Sequence, residues 1–218
     1  MTRARTIAIG DIHGCAAALC TLLDEIQPAE RDTIVTLGDY VDRGPDSRGV
    51  IDRLLQLSGQ CRLVPLIGNH EVMMLDGLDQ GGDRKRFWLQ YGGQETLESY
   101  GGTLRGFPET HDTFLRSLRP FHETDTDTFV HANYDPELPM DQQPRHLTLW
   151  EHLSFHPPAP HCSGKTVFVG HTPQRTGEIL DLDHIVAIDT ACAIGGWLTA
   201  IDVDTRDIWQ ADREGHPR

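Results

Sequence analysis

The chain is 218 residues long, a length that suits one large domain (1–218) able to bury its own core without staples. Its formal net charge of −14 excludes a nucleic-acid backbone or an anionic membrane as a docking partner. The five cysteines are odd in number and form no C-x-x-C pair, which excludes a disulfide framework or zinc ribbon and favours reduced thiols in a cytoplasmic protein.

Arg3 and Arg5 precede only Thr6–Ile9 before Gly10-Asp11, too short for a signal-peptide core, and no later stretch is long and apolar enough to span a bilayer. Thr6–Ile9 reads as a buried strand ending at Gly10-Asp11-Ile12-His13-Gly14. Leu19, Leu22, Leu23 and Ile26 then mark one face of a helix that stops before Pro28. Thr33–Leu37 is a second strand and runs into Gly38-Asp39-Tyr40-Val41-Asp42-Arg43-Gly44. Pro45-Asp46-Ser47 offers caps for a helix with the apolar stripe Val50, Ile51, Leu54 and Leu55. Leu63–Ile67 is a third strand, ending at Gly68-Asn69-His70-Glu71, and Met73, Met74 and Leu78 start another helix. This β-α-β-α-β run predicts an α/β sheet.

Residues 79–128 are looser, with glycine pairs between short helix candidates at Phe87–Tyr91, Glu95–Tyr100 and Thr110–Leu118. Their apolar content is too thin for a separate core, so the segment is read as a cap or insert. Thr128–Val130 resumes strand character before His131, and 134–164 is a second surface excursion with one helix at Leu147–Leu153. Strand signals follow at Val167–Val169, Ile179–Leu182, Ile185–Ile188, Leu198–Ile201 and Ile208-Trp209. Their close spacing predicts antiparallel pairing in a second sheet, with 212–218 as a polar tail.

Five strand candidates end in residues able to bind metal: Asp11 with His13, Asp39, Asn69, His131 and His171. Loops beyond the carboxyl ends of strands line the ligand crevice of open α/β sheets, so these residues can converge. The set is imidazole, carboxylate and amide without thiolate, which favours manganese, iron or zinc in an open catalytic site. Six ligands exceed what one catalytic ion needs, whereas two ions about 3.5–4 Å apart would use them fully. Asp39, on the middle of the first three strands, is the natural bridge between the two. His111, His122, His146, His156, His161, His184 and His216 are read as solvated or packed, and Cys15 and Cys192 as packing.

The blocks Gly10–Gly14, Gly38–Gly44 and Gly68–Glu71 resemble the GDxHG, GDxxDRG and GNHE blocks of the phosphoprotein phosphatase family of calcineurin-like metallophosphoesterases. Gly170-His171-Thr172-Pro173 and Ile188-Asp189-Thr190 resemble its bacterial and lambda-phage-like serine/threonine phosphatases. The resemblance implies a two-sheet β-sandwich flanked by helices, the four-layer αββα fold, around a binuclear centre. It implies Asp11, His13 and Asp39 on the first ion, and Asp39, Asn69, His131 and His171 on the second. It further implies His70 as the acid that protonates the leaving alkoxide, Asp42 as the group orienting it, and Arg43, with Asn69, on the phosphate. A carboxylate neighbour favours the imidazolium an acid needs, and a guanidinium forks onto two phosphate oxygens.

The chain departs from that pattern at Ile67 and His152, where family members carry arginines, and at Ala132, where glycine is common. The expected function is hydrolysis of phosphoserine or phosphothreonine in proteins by a metal-bridging water. A dinucleoside polyphosphate hydrolase, a broad phosphomono- or diesterase, and a non-catalytic scaffold are the alternatives. Oligomeric state is not legible in the sequence.

Overall fold

The computed structural model describes residues 3–153 and 157–218, so His156 lies outside the described residues. The first half of the chain folds as its periodicity predicts. Strands β1 (Thr6–Ile9), β2 (Thr33–Thr36) and β3 (Arg62–Pro65) are parallel and alternate with α1 (Ala16–Ile26) and α2 (Ser47–Leu57), and α3 (Asn69–Gln80) follows. Helix α1 buries the expected Leu19, Leu22, Leu23 and Ile26 and ends where Gln27 turns left-handed at φ 50°. Helix α2 starts at Asp46, whose carboxylate accepts from the Gly49 N–H at 2.8 Å and satisfies one of the free amides of the first turn.

The insert forms α4 (Gly82–Trp88), a wide turn at Leu89–Gly93, α5 (Gln94–Ser99) and α6 (Glu109–Arg116). The first of these helices begins five residues before the predicted Phe87. Gly81-Gly82 makes a tight turn rather than a break, and the charged Asp83–Arg86 run lies on an exposed helical surface. Trp88, Leu97, Phe114 and Leu115 join the core that α1 and α2 form on β1 and β2, so the insert is packed into the main body.

Strands β4 (Phe121–Glu123), β5 (Asp127–Val130), β6 (Thr166–Val169), β7 (Leu180–Asp181) and β8 (Ile185–Ala187) form a second sheet, in order β4-β5-β6-β8-β7. Strands β9 (Leu198–Asp202) and β10 (Ile208–Ala211) join the first, giving β10-β9-β1-β2-β3. Two expectations are corrected here. Strands β6 and β8 run parallel to β5, because the 131–165 and 170–184 connections are long enough to cross over. Strands β9 and β10 leave the second sheet altogether, since β9 pairs antiparallel with β1.

The two sheets pack face to face, and the side chains show it by their period of two. Ala8, Val35, Val64, Phe129, Phe168 and Val186 lie between the sheets. Their neighbours Ile7, Ile9 and Ile34 face α1 and α2, while Val130, Val167, Val169 and Ile185 face outward from the second sheet. Tyr134, Met140 and Leu153 cover that outer face, in the layer that carries α7 (Arg145–Trp150). The molecule is therefore two mixed five-stranded sheets flanked by helices. The 212–218 segment is tied down: Thr21 Oγ1 donates to the Gly215 carbonyl at 2.8 Å and Arg218 N–H to Gln210 at 2.9 Å. Among the described residues no helix is long and apolar enough to cross a membrane.

Candidate metal centre

The sheet topology brings the predicted residues to one end of the sandwich. Asp11 and His13 follow β1, Asp39 follows β2, and Asn69 and His70 open α3 after β3, while His131 and His171 arrive from β5 and β6 of the other sheet. All are buried except His171, which is half-buried. His13, Asp39, Asp42, Arg43 and His171 adopt φ of 44°, 51°, 73°, 68° and 61°. They are five of the nine non-glycine residues with left-handed φ among the described residues, each strained by about 1 kcal/mol or more. Such strain persists only where surrounding bonds enforce it.

Glu71 supplies much of that enforcement. Its Oε2 accepts from the Asp39 N–H at 2.9 Å and the Gly68 N–H at 3.0 Å, and its Oε1 from Tyr40 at 2.7 Å and Val41 at 3.3 Å. Burial, then the charge of Asp39, push the Glu71 carboxyl up to about 8, while these amides favour its ionised form. The loop must also come very close to α3: a Cβ at Gly68 would run into Asp39 Oδ1. Only glycine fits there.

The side chains form two potential ligand groups, His13–Asp39–His70 and Asp39–His131–His171, each with its ligand atoms within 4.8 Å of one another. Asp39 belongs to both. Asn69 adjoins the second group, with Oδ1 3.0 Å from His131 Nε2. Asp11 lies in neither group. Its carboxylate accepts the His171 N–H at 3.1 and 3.0 Å.

Hydrogen bonds on the far side of each ring aim the inner nitrogen at the centre. His13 Nδ1 donates to the Val41 carbonyl at 2.9 Å, His131 Nδ1 to Leu37 at 2.8 Å, and the His171 ring to the Trp150 carbonyl. This leaves the Nε2 atoms as lone-pair donors, the tautomer of a metal ligand. Burial holds His13 and His171 down at about 3 and lowers His131, so all three rings are neutral near pH 7. His171 Nε2 has no hydrogen-bond partner at all.

The carboxylates complete the picture. Burial opposes charge on Asp39, but the His131, His70, His13 and His171 rings, which take up protons in acid where a carboxyl titrates, hold its carboxyl well below the usual range. Burial, then Asp189 and Asp39, push Asp11 well up, and burial pushes Asp189 to about 6. Like charges buried this close are costly without a cation among them. Neutral imidazoles, converging carboxylates and an orphaned Nε2 together fit divalent ions.

Asp42 and His70 stand beside this set. His70 Nδ1 and Asp42 Oδ2 are 2.7 Å apart, and both groups are buried. Trp88 Nε1 donates to both Asp42 oxygens, at 2.9 and 3.0 Å, and Thr96 Oγ1 to Oδ1 at 2.7 Å. Burial disfavours the charged imidazole, yet Asp39 and Asp42 outweigh it and raise the His70 pKa. Burial raises Asp42 in turn, against the His70 hydrogen bond, so the pair shares a proton. The outer nitrogen, His70 Nε2, is buried without a partner.

A cleft of about 360 Å³ opens over Asp39, Arg43, Asn69 and His70. Arg43 NH1 donates to His13 Nε2 at 2.8 Å. His152 and Trp150 line the cleft, whereas Ile67 lines a neighbouring cavity with Phe121 and Arg145. The histidines read as structural include His111, bonded to Tyr100 and Asp52, and His161, bonded to Ser163 and Leu138. Cys15 and Cys192 are buried in the core. Sequence reasoning missed the Asp42 supports Trp88 and Thr96, which lie 46 and 54 positions away and leave no local signal. It also gave no role to Glu71, although Glu71 sits inside a recognised block.

Comparison with known proteins agrees with this geometry. Residues 4–187 match the model of the calcineurin-like phosphoesterase family. The chain is 31% identical to serine/threonine-protein phosphatase 1 of Salmonella typhimurium, over 88% of each chain. It is 32% identical to a symmetrical bis(5'-nucleosyl)-tetraphosphatase of Nitrosomonas europaea, over 63% of this chain and 47% of that one. A crystal structure provisionally described as a diadenosine tetraphosphatase shares the fold with a TM-score of 0.72 at 24% identity, covering 95% of this chain and 93% of that one. By its family match, its fold and its near full-length relative, the chain belongs to the calcineurin-like phosphoesterases and is a metal-dependent phosphohydrolase.

Proposed function

We propose that the chain is a cytoplasmic, single-domain, binuclear phosphomonoester hydrolase that removes phosphate from phosphoserine and phosphothreonine in proteins. Asp11, His13 and Asp39 would hold one ion, and Asp39, Asn69, His131 and His171 the other, with manganese the expected metal and iron or zinc the alternatives. Bound there, the ions would supply an activated water and Lewis-acid stabilisation of the phosphoryl oxygens.

The observation that carries the reading is the Asp42–His70 pair. Asp42 keeps a proton on His70, whose partnerless Nε2 is available to the leaving oxygen. An alkoxide such as that of serine needs this proton; a polyphosphate leaving group needs it far less. Arg43 is the phosphate residue. The nitrogen it now donates to, His13 Nε2, cannot both accept that bond and ligate a cation, so metal loading releases the guanidinium for phosphoryl oxygens.

A second reading, dinucleoside polyphosphate hydrolysis, draws support from the named tetraphosphatase relatives. Against it, among the described residues Arg43 is the only arginine on the cleft wall and no lysine lines it, which suits one phosphoryl group better than four. Steady-state turnover of a phosphoserine peptide and of diadenosine tetraphosphate by manganese-loaded protein separates the two. The monoesterase reading expects kcat/KM on the peptide at least tenfold above the dinucleotide. The reverse order would reassign the substrate, and no turnover of either would end both readings.

A further inference from the structure

A second cavity, of about 380 Å³, opens beside the cleft. Ile67, Leu118, Phe121, Met140 and Leu149 give it an apolar lining, and the exposed Asp141 and Arg145 stand on its rim. Neither charge has an ion-pair partner among the described residues. The two cavities adjoin through the chain itself. Ile67 is two residues from Asn69 and Leu149 one from Trp150, and Asn69 and Trp150 line the cleft. Two residues span at most about 7 Å. At about 3.3 Å per residue, an extended substrate leaving the cleft on this side is over the cavity within two residues of its phosphorylated one.

The walls of this cavity are held by backbone bonds. The Ile67 N–H donates to the Arg119 carbonyl at 2.8 Å and the Arg119 N–H to the Pro65 carbonyl at 3.0 Å, which fixes residues 118–121 against β3. The Ala132 N–H donates to Thr148 at 3.0 Å and the Asn133 N–H to Leu147 at 3.2 Å, which fixes α7 against the loop after His131. Gln143 spends its amide on the same loop: Oε1 accepts from the Asp135 N–H at 2.7 Å, and Nε2 donates to the Asp135 and Leu138 carbonyls at 2.8 and 2.7 Å. A hollow that is already formed costs its occupant little ordering on the protein side. The rim charges select that occupant. A polyphosphate would meet Asp141 as well as Arg145, and no further cation lines the cavity among the described residues. An extended peptide instead offers carbonyls to Arg145 and N–H groups to Asp141, and turns every second side chain to one face.

We propose that this cavity is a docking pocket for an apolar side chain of the protein substrate, one or two residues from the phosphorylated one, with Asp141 and Arg145 holding the adjoining backbone. The inference rests on the phosphoprotein reading and deepens it. The cleft takes the phosphoryl group whatever carries it, and the cavity reads the sequence beside it. Removing an apolar side chain from water there rewards one flanking residue over another. A small ester such as p-nitrophenyl phosphate has no flanking residue, so its turnover is blind to the cavity.

The test walks a single leucine along an alanine-rich phosphoserine peptide, from two residues before the phosphoserine to two after, with kcat/KM measured on manganese-loaded protein. Wild type should favour leucine over alanine at one position by roughly tenfold, through KM, the scale of burying such a side chain less the cost of ordering it. Two variants follow: Leu118→Trp fills the cavity from a half-buried position, and Arg145→Ala removes an exposed rim donor, with melting temperatures checking both folds. Leu118→Trp should bring the leucine peptide down to the level of the all-alanine one. Arg145→Ala should raise KM several-fold for every peptide, and both variants should turn over p-nitrophenyl phosphate as wild type does. A flat leucine walk in wild type, which needs no variant, overturns the proposal and leaves the phosphoprotein reading standing, as does a leucine preference that survives in Leu118→Trp. Loss of diadenosine tetraphosphate turnover in the variants, with the peptides unaffected, overturns the peptide assignment in favour of a nucleobase. No turnover of any peptide by protein that hydrolyses p-nitrophenyl phosphate overturns the phosphoprotein reading and the docking pocket with it.

Discussion

Asp42 and Asp32 are both buried carboxylates whose surroundings send them opposite ways. Asp42 shares a proton with His70, and burial raises its pKa. Asp32 is also pushed up by burial, but the Arg5 side chain, the Ala29 N–H and the Arg5 N–H more than offset this and lower it. The Arg5–Asp32 pair joins the starts of β1 and β2, with Asp32 fully covered and Arg5 partly exposed. Because its folded pKa is depressed, Asp32 stabilises the fold fully above the ordinary carboxylate value of about 4. That stability is lost as pH falls through the lower folded value. We expect Asp32→Asn to cost about 2 kcal/mol near pH 7 in urea unfolding. The gap from wild type should shrink progressively as pH falls below the ordinary carboxylate value. A gap that stays constant with pH would contradict the ionic account.

At the scale of elements, α4 and α5 hold the Asp42–His70 pair from outside. Trp88 and Thr96 give Asp42 its neutral donors, so the insert orients a group that belongs to the β2 loop. Trp88→Phe removes the N–H donor together with part of the buried indole ring, so its effect on stability is read separately by urea unfolding. It should lower kcat on phosphoserine peptide about tenfold, the usual effect of losing an outer-shell partner. p-Nitrophenyl phosphate, whose leaving group needs no proton, should be hydrolysed at nearly the wild-type rate, and an equal loss on both would refute an orienting role. The elements that could be read in advance explain why this one could not. Strands β1 to β3 and helices α1 and α2 announce themselves by local periodicity and caps, and the candidate ligands Asp11, His13, Asp39 and Asn69 follow the strand ends. The Trp88–Asp42 contact spans 46 positions and depends on how α4 packs against α3, which no local pattern encodes. The same holds for β9: its run of apolar residues predicts a strand, but its place beside β1 is decided by packing.

For the molecule as a whole, the important point is that neither sheet holds the candidate metal centre alone. Asp11, His13, Asp39 and Asn69 come from the first sheet, and His131 and His171 from the second. Ions bound between them would clamp the sandwich at one end. With metal a thousandfold above its dissociation constant the linkage is about 4 kcal/mol. Chelation should then lower the melting temperature by on the order of 10 °C, reversibly on adding manganese. An unchanged melting curve would mean that the ions do not bridge the sheets. The central claim is that Asp39 is shared by two ions while His70, though within reach of the first group, stays outside as the proton donor. It is tested most directly by metal content per chain, measured by plasma mass spectrometry after manganese loading, in wild type, Asp39→Asn and His70→Asn. The account predicts two ions in wild type, two in His70→Asn and close to none in Asp39→Asn. A wild type that saturates at one ion, or a His70→Asn variant that loses metal as Asp39→Asn does, would contradict it.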